Sequence, residues 1–461
     1  MAEGLTTTPS SPARSFAAAC LAAALGPLDT MVNPAFPAIT ADFALEVAQI
    51  QWIPVAYLLA YGSLALVTGR LGDLYGYRRV CLAGLGVCVV AFAACAAAPT
   101  YGWLLAARVL QGVGIALMLG GAPPLALAAY PESRRTAVLA RYSAALALVL
   151  ALAPAAGGML VEAFGWRAVY AVRVPIALVA LVLLARVPEA PRHPHSHGFD
   201  GTGAALLMFW LTAFVLALAL PAATGWPLLL LAAAGLAMFV VHEARCAAPI
   251  VRPALFLEPR FALFNAASLG VHFVGFAMFL LGPYFFARVT GLSTLAGGVL
   301  LSFGPAGAVL GSALAARMVR RHGTGRVAFA SALLVAVTVG AAAAWNSQSA
   351  VIGIGLLLFV QGAGIGLFQV AYTDYVVAAL PVAERGVAAS LANLTRTLGV
   401  LAAASLLSAL FRTVEAGAAA AGADAQGAFL EGYRVSVACA AAGLGLFLAA
   451  SLMRPKLWTA R

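Results

Sequence analysis

The segment Gly69-Arg-Leu-Gly-Asp-Leu-Tyr-Gly-Tyr-Arg-Arg79 is short, charged and rich in glycine, and it lies between two long apolar runs. Its three glycines allow tight backbone turns and close contacts between helices. We predict a turn that joins two membrane-spanning helices, places positive charge at one membrane face and acts as a gating loop. The gating residues are predicted to be Gly69, Arg70, Asp73, Gly76, Arg78 and Arg79, of which Asp73 is the single acid.

The composition requires a membrane environment. The chain has 461 residues, of which 63% are hydrophobic and 9% are charged, whereas a soluble globular protein carries about 25% charged residues. Continuous apolar runs of about 20 residues match a helix that crosses a bilayer and exclude a transmembrane β-barrel. The formal charge of +11 resides in short loops, so nucleic acid is not expected as a partner. We predict an all-α polytopic protein of the inner (cytoplasmic) membrane, embedded in the lipid bilayer.

Fourteen apolar runs have the length of a membrane span. An even number places both termini on the same side of the membrane. The runs cover residues 15–36, 50–68, 80–98, 102–127, 136–160, 168–185, 202–220, 226–242, 261–282, 295–316, 326–344, 350–373, 387–411 and 433–452.

Basic residues choose the side, because cytoplasmic loops of membrane proteins are enriched in lysine and arginine. With the N-terminus inside, the cytoplasmic segments hold 20 of the 27 basic residues. Both termini are therefore predicted to be cytoplasmic.

An internal repeat divides the chain. The segment Val109-Leu-Gln-Gly-Val-Gly-Ile-Ala-Leu117 resembles Phe359-Val-Gln-Gly-Ala-Gly-Ile-Gly-Leu367, and Gly311 to Gly323 is an echo of the opening segment at a similar offset. Two six-helix halves around a central site are the plan of a rocking transporter. We predict a disordered tail at 1–14, halves at 15–186 and 261–453, linkers at 187–200 and 244–260, an inserted helix pair at 201–243 and a tail at 454–461.

Insertion of an ionisable residue into a membrane span costs about 2.5–3.5 kcal/mol on insertion scales. Each such residue is therefore expected to have a structural or functional role. Asp29 lies about fourteen residues into the first run, and Arg108 lies a few residues into the fourth, so both fall in the outer half of the membrane. Near Arg108, Asp29 would release its proton, and apart from it Asp29 would hold one. A proton switch and a permanent salt bridge both remain open from the sequence.

Three further ionisable residues lie within spans. Arg173, near the outer start of the sixth run, either extends to the interface or faces a cavity. Arg396 and His272 lie near mid-depth, and His272 is either a cavity ligand and proton carrier or a hydrogen-bonded packing residue. Three arginines against one aspartate favour anionic, zwitterionic or neutral apolar compounds. The candidate cavity residues are Asn33, Gln111, His272, Gln361, Arg396 and Arg173.

Proline and glycine clusters predict breaks in three spans. They are Asn33-Pro34 with Pro37, Gly120-Gly121 with Pro123-Pro124, and Pro154 with Gly157-Gly158. Such breaks are tolerated where the backbone lines a cavity or packs on another helix. Close packing of small residues is the competing explanation for the glycines.

Metal and disulfide signals are weak. Cys81, Cys88 and Cys95 repeat every seven residues along one helix face, which we interpret as small-residue packing, and no disulfide framework is indicated. The longest polar loop contains His193-Pro-His-Ser-His197. These histidines alternate as metal ligands can, but the sequence offers no cysteine or acid nearby to complete a site. A solvated linker is expected, with no metal and no cofactor.

These motifs together resemble the major facilitator superfamily and, within it, the fourteen-helix drug:proton antiporter family (DHA2-type). The opening segment is similar to the loop between the superfamily's helices 2 and 3. Leu28-Asp-Thr-Met-Val-Asn-Pro-Ala-Phe-Pro-Ala-Ile39 resembles the subfamily's first-helix motif, and Gln51-Trp52 with Tyr57-Leu58 its second helix. Arg108-x-x-Gln111-Gly112-x-Gly114 resembles the fourth-helix motif, whose arginine the resemblance links with proton coupling.

The chain departs from the family pattern at two motifs. The fifth-helix antiporter motif reads Ala153-Pro154-Ala-Ala-Gly157-Gly158, with alanine where the family has glycine, and Arg173 stands where the family usually has asparagine. The ninth, tenth, eleventh and thirteenth runs carry none of the further acids of many family members. Proton coupling is therefore expected to rest on Asp29 nearly alone, with Arg108 as its partner.

The resemblance and the charges lead to one functional expectation. The protein is expected to be a monomeric, proton-driven exporter of amphipathic small molecules such as drugs, antibiotics or endogenous metabolites. The alternative is a proton-driven symporter or facilitator for a small nutrient. An enzyme or receptor is not expected, because no nucleophile motif, phosphate loop or soluble effector domain is present.

Overall fold

The computed structural model describes residues 12–128, 130–189, 200–220, 222–246, 252–379 and 385–459. Within these ranges the ordered secondary structure is helical. Among the described residues, twelve helices are long and apolar enough to cross a membrane, so the protein is a multi-pass membrane protein. The long helices are α1 (Pro12–Asp42), α2 (Trp52–Tyr75), α3 (Tyr77–Ala96), α4 (Tyr101–Ala128), α5 (Glu132–Phe164), α6 (Ala168–Ala185), α7 (Gly201–Ala219), α8 (Ala222–Arg245), α9 (Pro259–Arg288), α10 (Thr294–His322), α11 (Thr324–Ala342), α12 (Val351–Ala379), α13 (Arg385–Ala420) and α14 (Ala425–Ser451).

The helices fall on the predicted runs with shifted boundaries. Two of the long helices, α2 with 24 residues and α7 with 19, are not among the twelve candidate membrane spans. Helix α1 begins at Pro12, inside the predicted disordered tail, and residues 1–11 lie outside the described part of the chain. A 3-10 turn at Pro253–Leu257 falls within the predicted second linker.

One end of the bundle carries the connections at 43–51, 97–100, 165–167, 289–293, 343–350 and 421–424. We name it the outer end, following the predicted orientation, and the opposite end the inner end.

The opening segment is almost entirely helical, which corrects the prediction of a turn from Gly69 to Arg79. Helix α2 continues to Tyr75, and α3 begins at Tyr77. Gly76 alone interrupts them, with a φ of 97°, a conformation that glycine adopts without the steric penalty of a side chain. Gly323 separates α10 from α11 in the same way, with a φ of 86°, so the echo in the sequence is a repeated one-residue helix break.

Only one of the three predicted breaks occurs. In α1, a 3-10 segment at Pro27–Ala35 lies between α-helical turns that end at Ala24 and begin again at Phe36. Helix α4 runs through Pro123 and Pro124, and α5 runs through Pro154, so those predictions were wrong.

The glycines of α4 serve packing instead. A Cβ on Gly120 would lie 2.7 Å from Thr68 Oγ1, and one on Gly121 would lie 2.8 Å from the Tyr77 carbonyl oxygen. Such close approach of helix backbones is the role of small residues in membrane interfaces. Cys88 of α3 also packs closely on a glycine of α4, because a Cβ on Gly114 would lie 2.7 Å from the Cys88 Sγ.

The repeated Gln-Gly sequence makes equivalent contacts in its two copies. Gly112 of α4 lies against α2, where a Cβ would be 2.5 Å from the Tyr57 carbonyl oxygen. Gly362 of α12 lies against α10, where a Cβ on Gly362 would be 1.8 Å from the Gly304 carbonyl oxygen. Each glycine thus allows a long helix to pack closely on its neighbour.

Several contacts join helices 1–6 to helices 9–14 near the outer end. The Thr40 hydroxyl of α1 hydrogen bonds to the Tyr284 hydroxyl of α9. The Glu162 carboxylate of α5 accepts a hydrogen bond of 2.8 Å from Leu295 N–H, in the first turn of α10. The acid complements the positive end of that helix dipole.

The helix pair α7–α8 packs on the outside of this bundle. Val215 of α7 lies in an apolar cluster with Val55 of α2 and with Leu401 and Ala404 of α13. Helix α7 thus contacts one helix from each predicted half.

Candidate functional site: one carboxylate between two arginines

Asp29 lies where α1 changes its hydrogen-bonding pattern. Pro27 begins the 3-10 segment, and the Thr30 hydroxyl donates a hydrogen bond of 2.9 Å to the Pro27 carbonyl. Proline cannot donate a backbone hydrogen bond, and the tighter 3-10 winding carries the chain through this region. The Asp29 side chain is only 16% exposed, so its charge needs partners within the protein.

Arg108 binds both oxygens of this carboxylate. Its Nη1 lies 2.5 Å from Asp29 Oδ1, and its Nη2 lies 2.8 Å from Oδ2. Its Nε donates to the Ile53 carbonyl at 3.2 Å, and its guanidinium lies 4.6 Å from the centre of the Tyr57 ring. A bidentate pair fixes orientation as well as distance, so this arginine holds α1, α2 and α4 in register.

Arg173 binds the same carboxylate, which excludes its predicted alternative at the membrane interface. The side chain is fully buried, with Nη1 at 3.0 Å from Asp29 Oδ1 and Nη2 at 2.8 Å from the Leu28 carbonyl oxygen. Its guanidinium lies 5.6 Å from the Phe92 ring centre and 5.4 Å from that of Tyr170. Because α6 packs on both α1 and α3, its first turn faces the 3-10 segment rather than the membrane surface.

Gln111 completes the group. The sequence predicted this residue to line the substrate cavity. Its Nε2 donates to Asp29 Oδ1 at 2.8 Å, and its Oε1 accepts from Arg108 Nη1 at 2.7 Å. Arg108 and Gln111 are three residues apart on one helix, so they share a face. We call Asp29, Arg108, Gln111 and Arg173 the carboxylate cluster.

The carboxylate cluster carries one more positive than negative charge. Hydrogen bonds and opposite charges favour the ionised carboxylate, and the second guanidinium adds to this stabilisation. Replacement of one partner by a proton or by another anion would release an arginine. The cluster is therefore suited to exchange a proton or an anionic group.

A second polar group lies around His272. This residue is 8% exposed, and its Nδ1 is 2.7 Å from the Ser268 carbonyl oxygen, which fits an N–H donor at that position. Gln369 and Arg396 both interact with the imidazole. The exposed Arg396 also donates to Asn393 Oδ1 at 2.8 Å, and Asn393 donates to the Tyr61 hydroxyl at 3.4 Å.

The His272 group joins residues that the sequence treated separately. Asn393, Tyr61 and Gln369 were not predicted, because polar residues in different spans give no signal that they meet. The group connects α9, α12 and α13 with α2 of the first half.

The other candidate cavity residues have structural partners or partial exposure. Gln361 is 5% exposed and donates to the Gly275 carbonyl at 3.3 Å, so it ties α12 to α9. Asn33 is half-buried in the 3-10 segment.

The predicted gating residues are described in part. The Arg78 backbone N–H donates to Glu189 Oε1 at 2.8 Å, and the Arg78 side chain bonds the carbonyls of Leu184 and Ala185 at the end of α6. Arg79 is exposed. Gly69, Arg70 and Asp73 belong to α2, but their side-chain environments lie outside what the structure describes. The segment is thus attached to α6 through Arg78.

The fifth-helix motif packs on α1 of its own half and on α10 of the other predicted half. A Cβ on Gly157 would be 2.3 Å from the Met31 carbonyl oxygen of α1, and one on Gly158 would be 2.5 Å from the Thr294 carbonyl oxygen of α10. A Cβ on Gly298 would lie 2.5 Å from the Pro154 carbonyl oxygen. We call the backbone contacts of Pro154, Gly158 and Gly298 between α5 and α10 the glycine seam.

The histidines at 193, 195 and 197 lie outside the described residues, so the prediction of a solvated linker remains a prediction. The structure does place a cysteine and an acid together at the ends of α7 and α8, where Cys246 and Asp200 both lie near His242.

Fold and site together define a polytopic helical protein with charged residues buried between its helices, as in membrane transporters. The chain belongs to the Major Facilitator Superfamily, whose family model matches residues 18–404.

Three curated relatives extend this result. A multidrug resistance protein named Stp, from Mycobacterium tuberculosis, is 30% identical over 80% of this chain and 70% of the relative. The tetracenomycin C resistance and export protein of Streptomyces glaucescens is also 30% identical, over 80% of this chain and 70% of the relative. An uncharacterized MFS-type transporter of Mycobacterium tuberculosis is 34% identical over 62% of this chain, which spans 50% of that relative. Such relatives agree with the resemblance to DHA2-type drug exporters.

Solved structures share the fold. A bacterial homolog of the human lysosomal transporter Spinster superimposes with a TM-score of 0.69 over 98% of both chains, at 18% sequence identity.

Proposed function

We propose that the protein is a proton-coupled exporter of amphipathic organic compounds such as drugs, antibiotics or endogenous metabolites, with the proton gradient as energy source. It works by alternating access, as a monomer with fourteen spans and cytoplasmic termini. The observation that carries this proposal is the carboxylate cluster, in which the single Asp29 side chain is shared by Arg108 and Arg173. The relatives named for multidrug resistance and for export support the substrate class and the direction.

We assign the structure to the inward-facing step of this cycle. Helices of the two halves touch near the outer end through Thr40 with Tyr284 and through the glycine seam. A compound would then enter from the inner end, while Asp29 is ionised and paired. The halves would move against each other along the glycine seam, break the Thr40–Tyr284 contact and open the outer end. A change within the first half would part Asp29 from an arginine, so that Asp29 takes up a proton.

Return to the inward-facing state would re-form the arginine pairs and release the proton to the cytoplasm. The excess positive charge favours compounds that are anionic, zwitterionic or neutral. Asp73 is proposed to bind the N-terminal end of α13 in the outward-open state, where the helix dipole is positive. Helix α13 begins at Arg385.

The test is transport in liposomes under an imposed pH gradient. We expect the wild-type protein to move substrate against its gradient only when protons flow the opposite way. Asp29→Asn should abolish this coupled transport. Asp42→Asn is the matched control, because Asp42 pairs with Arg167 in an exposed ion pair near the outer end. Transport that ignores the pH gradient, or that survives Asp29→Asn unchanged, would contradict the proposal.

The alternative is a proton-driven symporter or facilitator that imports a small nutrient. The same liposomes distinguish the two, because substrate would then move in the direction of the protons or without them.

A further inference from the structure

Three potential metal ligands meet at the inner ends of the inserted helix pair. They are the carboxylate of Asp200, which precedes α7, the imidazole of His242 in the last turn of α8, and the thiol of Cys246 just after α8. One ligand atom from each residue lies within 4.8 Å of the others. This cluster lies in the inserted pair and is separate from the carboxylate cluster.

Local structure explains why these ligands converge. His242 and Cys246 are four residues apart, and the Cys246 N–H donates to the His242 carbonyl at 2.9 Å, so helical geometry continues and places both side chains on one face. Asp200 is the N-cap of α7, since its Oδ1 accepts a hydrogen bond of 2.8 Å from Gly203 N–H. Packing of α7 on α8 then brings the carboxylate to 2.7 Å from His242 Nε2.

The second carboxylate oxygen is the observation that points to a ligand. The Asp200 side chain is 7% exposed, and the Cys246 thiol interacts with its carboxylate. Its Oδ2 is buried with no geometric hydrogen bond among the described residues, and Glu243 Oε1 lies on the same side of Gly203. A buried carboxylate oxygen without a donor is costly, because desolvation is not compensated. A cation would supply the missing interaction.

We infer that Asp200, His242 and Cys246 form a binding site for a divalent transition metal, with Zn²⁺ as the ion that best fits the ligands. One carboxylate oxygen, one imidazole nitrogen and one thiolate are a ligand set typical of zinc, and water would fill the fourth tetrahedral position. In such a site, neighbouring ligand atoms are about 3.4 Å apart. Binding would therefore replace the direct hydrogen bond between His242 and Asp200, while Gly203 N–H keeps Oδ1 oriented.

The bound ion would connect the start of α7 to the end of α8. The thiol would release its proton on binding, because the thiolate is the ligand.

Cobalt(II) is the probe for the experiment, because it replaces zinc and absorbs visible light when bound to thiolate. The full-length protein is purified in detergent, stripped with a chelator and titrated with CoCl₂. We expect one equivalent to bind, with a thiolate-to-cobalt charge-transfer band that zinc removes. Cys246→Ser should abolish the band, and Cys439→Ser, which alters an exposed cysteine of α14, should leave it intact.

Two further variants separate metal binding from helix capping and from the histidine segment. Asp200→Asn keeps a good N-cap but loses the anionic ligand, so affinity for Co²⁺ should fall at least about tenfold while thermal stability without metal is retained. Replacement of His193, His195 and His197 by alanine together should leave the band in place. The absence of a saturable band, or a band that persists in Cys246→Ser, would overturn the inference.

Discussion

Arg173 Nη1 lies 3.0 Å from Asp29 Oδ1, on the carboxylate that Arg108 already binds through both oxygens. One acid thus has two guanidinium partners, one from α4 and one from α6. Substitution of either arginine should affect transport, although only one of the two was predicted as its partner.

Arginine-to-lysine substitutions test the geometry of this cluster. Arg108→Lys keeps the charge but cannot bind both oxygens of Asp29 in a fixed fork. Hydrogen bonds to charged groups are worth about 1.5–3 kcal/mol, so we expect coupled transport to fall about tenfold or more. Arg173→Lys should have a smaller effect in the same direction, because Arg173 makes a single hydrogen bond to the carboxylate.

The control for both variants is Arg167→Lys. Arg167 is 44% exposed and pairs with Asp42, and exposed ion pairs contribute little to stability. Its transport rate should stay within about twofold of wild type. Equal rates for Arg108→Lys and Arg167→Lys would mean that the bidentate pair has no role in the cycle.

The glycine seam predicts a clear difference between two Gly→Ala substitutions. In Gly158→Ala the new Cβ would lie 2.5 Å from the Thr294 carbonyl oxygen. Overpacking of this kind costs about 1–3 kcal/mol, so both the Tm in detergent and the transport rate should fall. Gly445→Ala should not lower the Tm, because no atom lies within 4 Å of its added Cβ and alanine favours a helix. Similar Tm values for the two variants would argue against tight packing at the seam.

Glu189 is predicted to stabilise the start of α3. Its Oε1 accepts a hydrogen bond from the Arg78 backbone, and an acid at a helix N-terminus also complements the dipole. Glu189→Ala should lower the free energy of unfolding by about 1 kcal/mol, whereas Glu189→Gln keeps an acceptor and should lose less. Glu431→Ala, at an exposed position of α14, should be close to neutral. A thermal denaturation series with the three variants decides the order.

Asp73→Asn tests the proposed latch at the inner end. The substitution should impair transport while substrate binding remains largely intact, because the carboxylate acts on one conformational state rather than on the substrate. Binding is measured by thermal shift with the transported compound, and transport by flux in liposomes. Glu132→Gln removes an exposed acid at the same end and should leave both values unchanged. Loss of binding in Asp73→Asn would refute the latch.

The sequence alone was sufficient to predict the features that depend on a single helix. The length of the apolar runs predicted the membrane-spanning helices. The cost of burying a charge in the membrane identified Asp29 and Arg108 as residues with a structural or functional role. The single change of helix type in α1 followed from its clustered prolines.

What the sequence could not decide depended on neighbouring helices. Arg173 was equally able to face the interface, and its direction is set by the packing of α6 on α1 and α3. Helices α4 and α5 tolerate internal prolines within their packed surroundings, which no local rule predicts. Asp200 and His242 are far apart in the chain, so only the pairing of α7 with α8 brings them together.

The glycine seam has a consequence for how this protein can change during evolution. Its contacts are made by main-chain atoms of Pro154, Gly158 and Gly298, so they do not depend on which side chains line the path of the transported compound. Mutations that alter compound selectivity would leave the moving joint untouched. Relatives can therefore diversify in what they carry while they inherit the same mechanical movement.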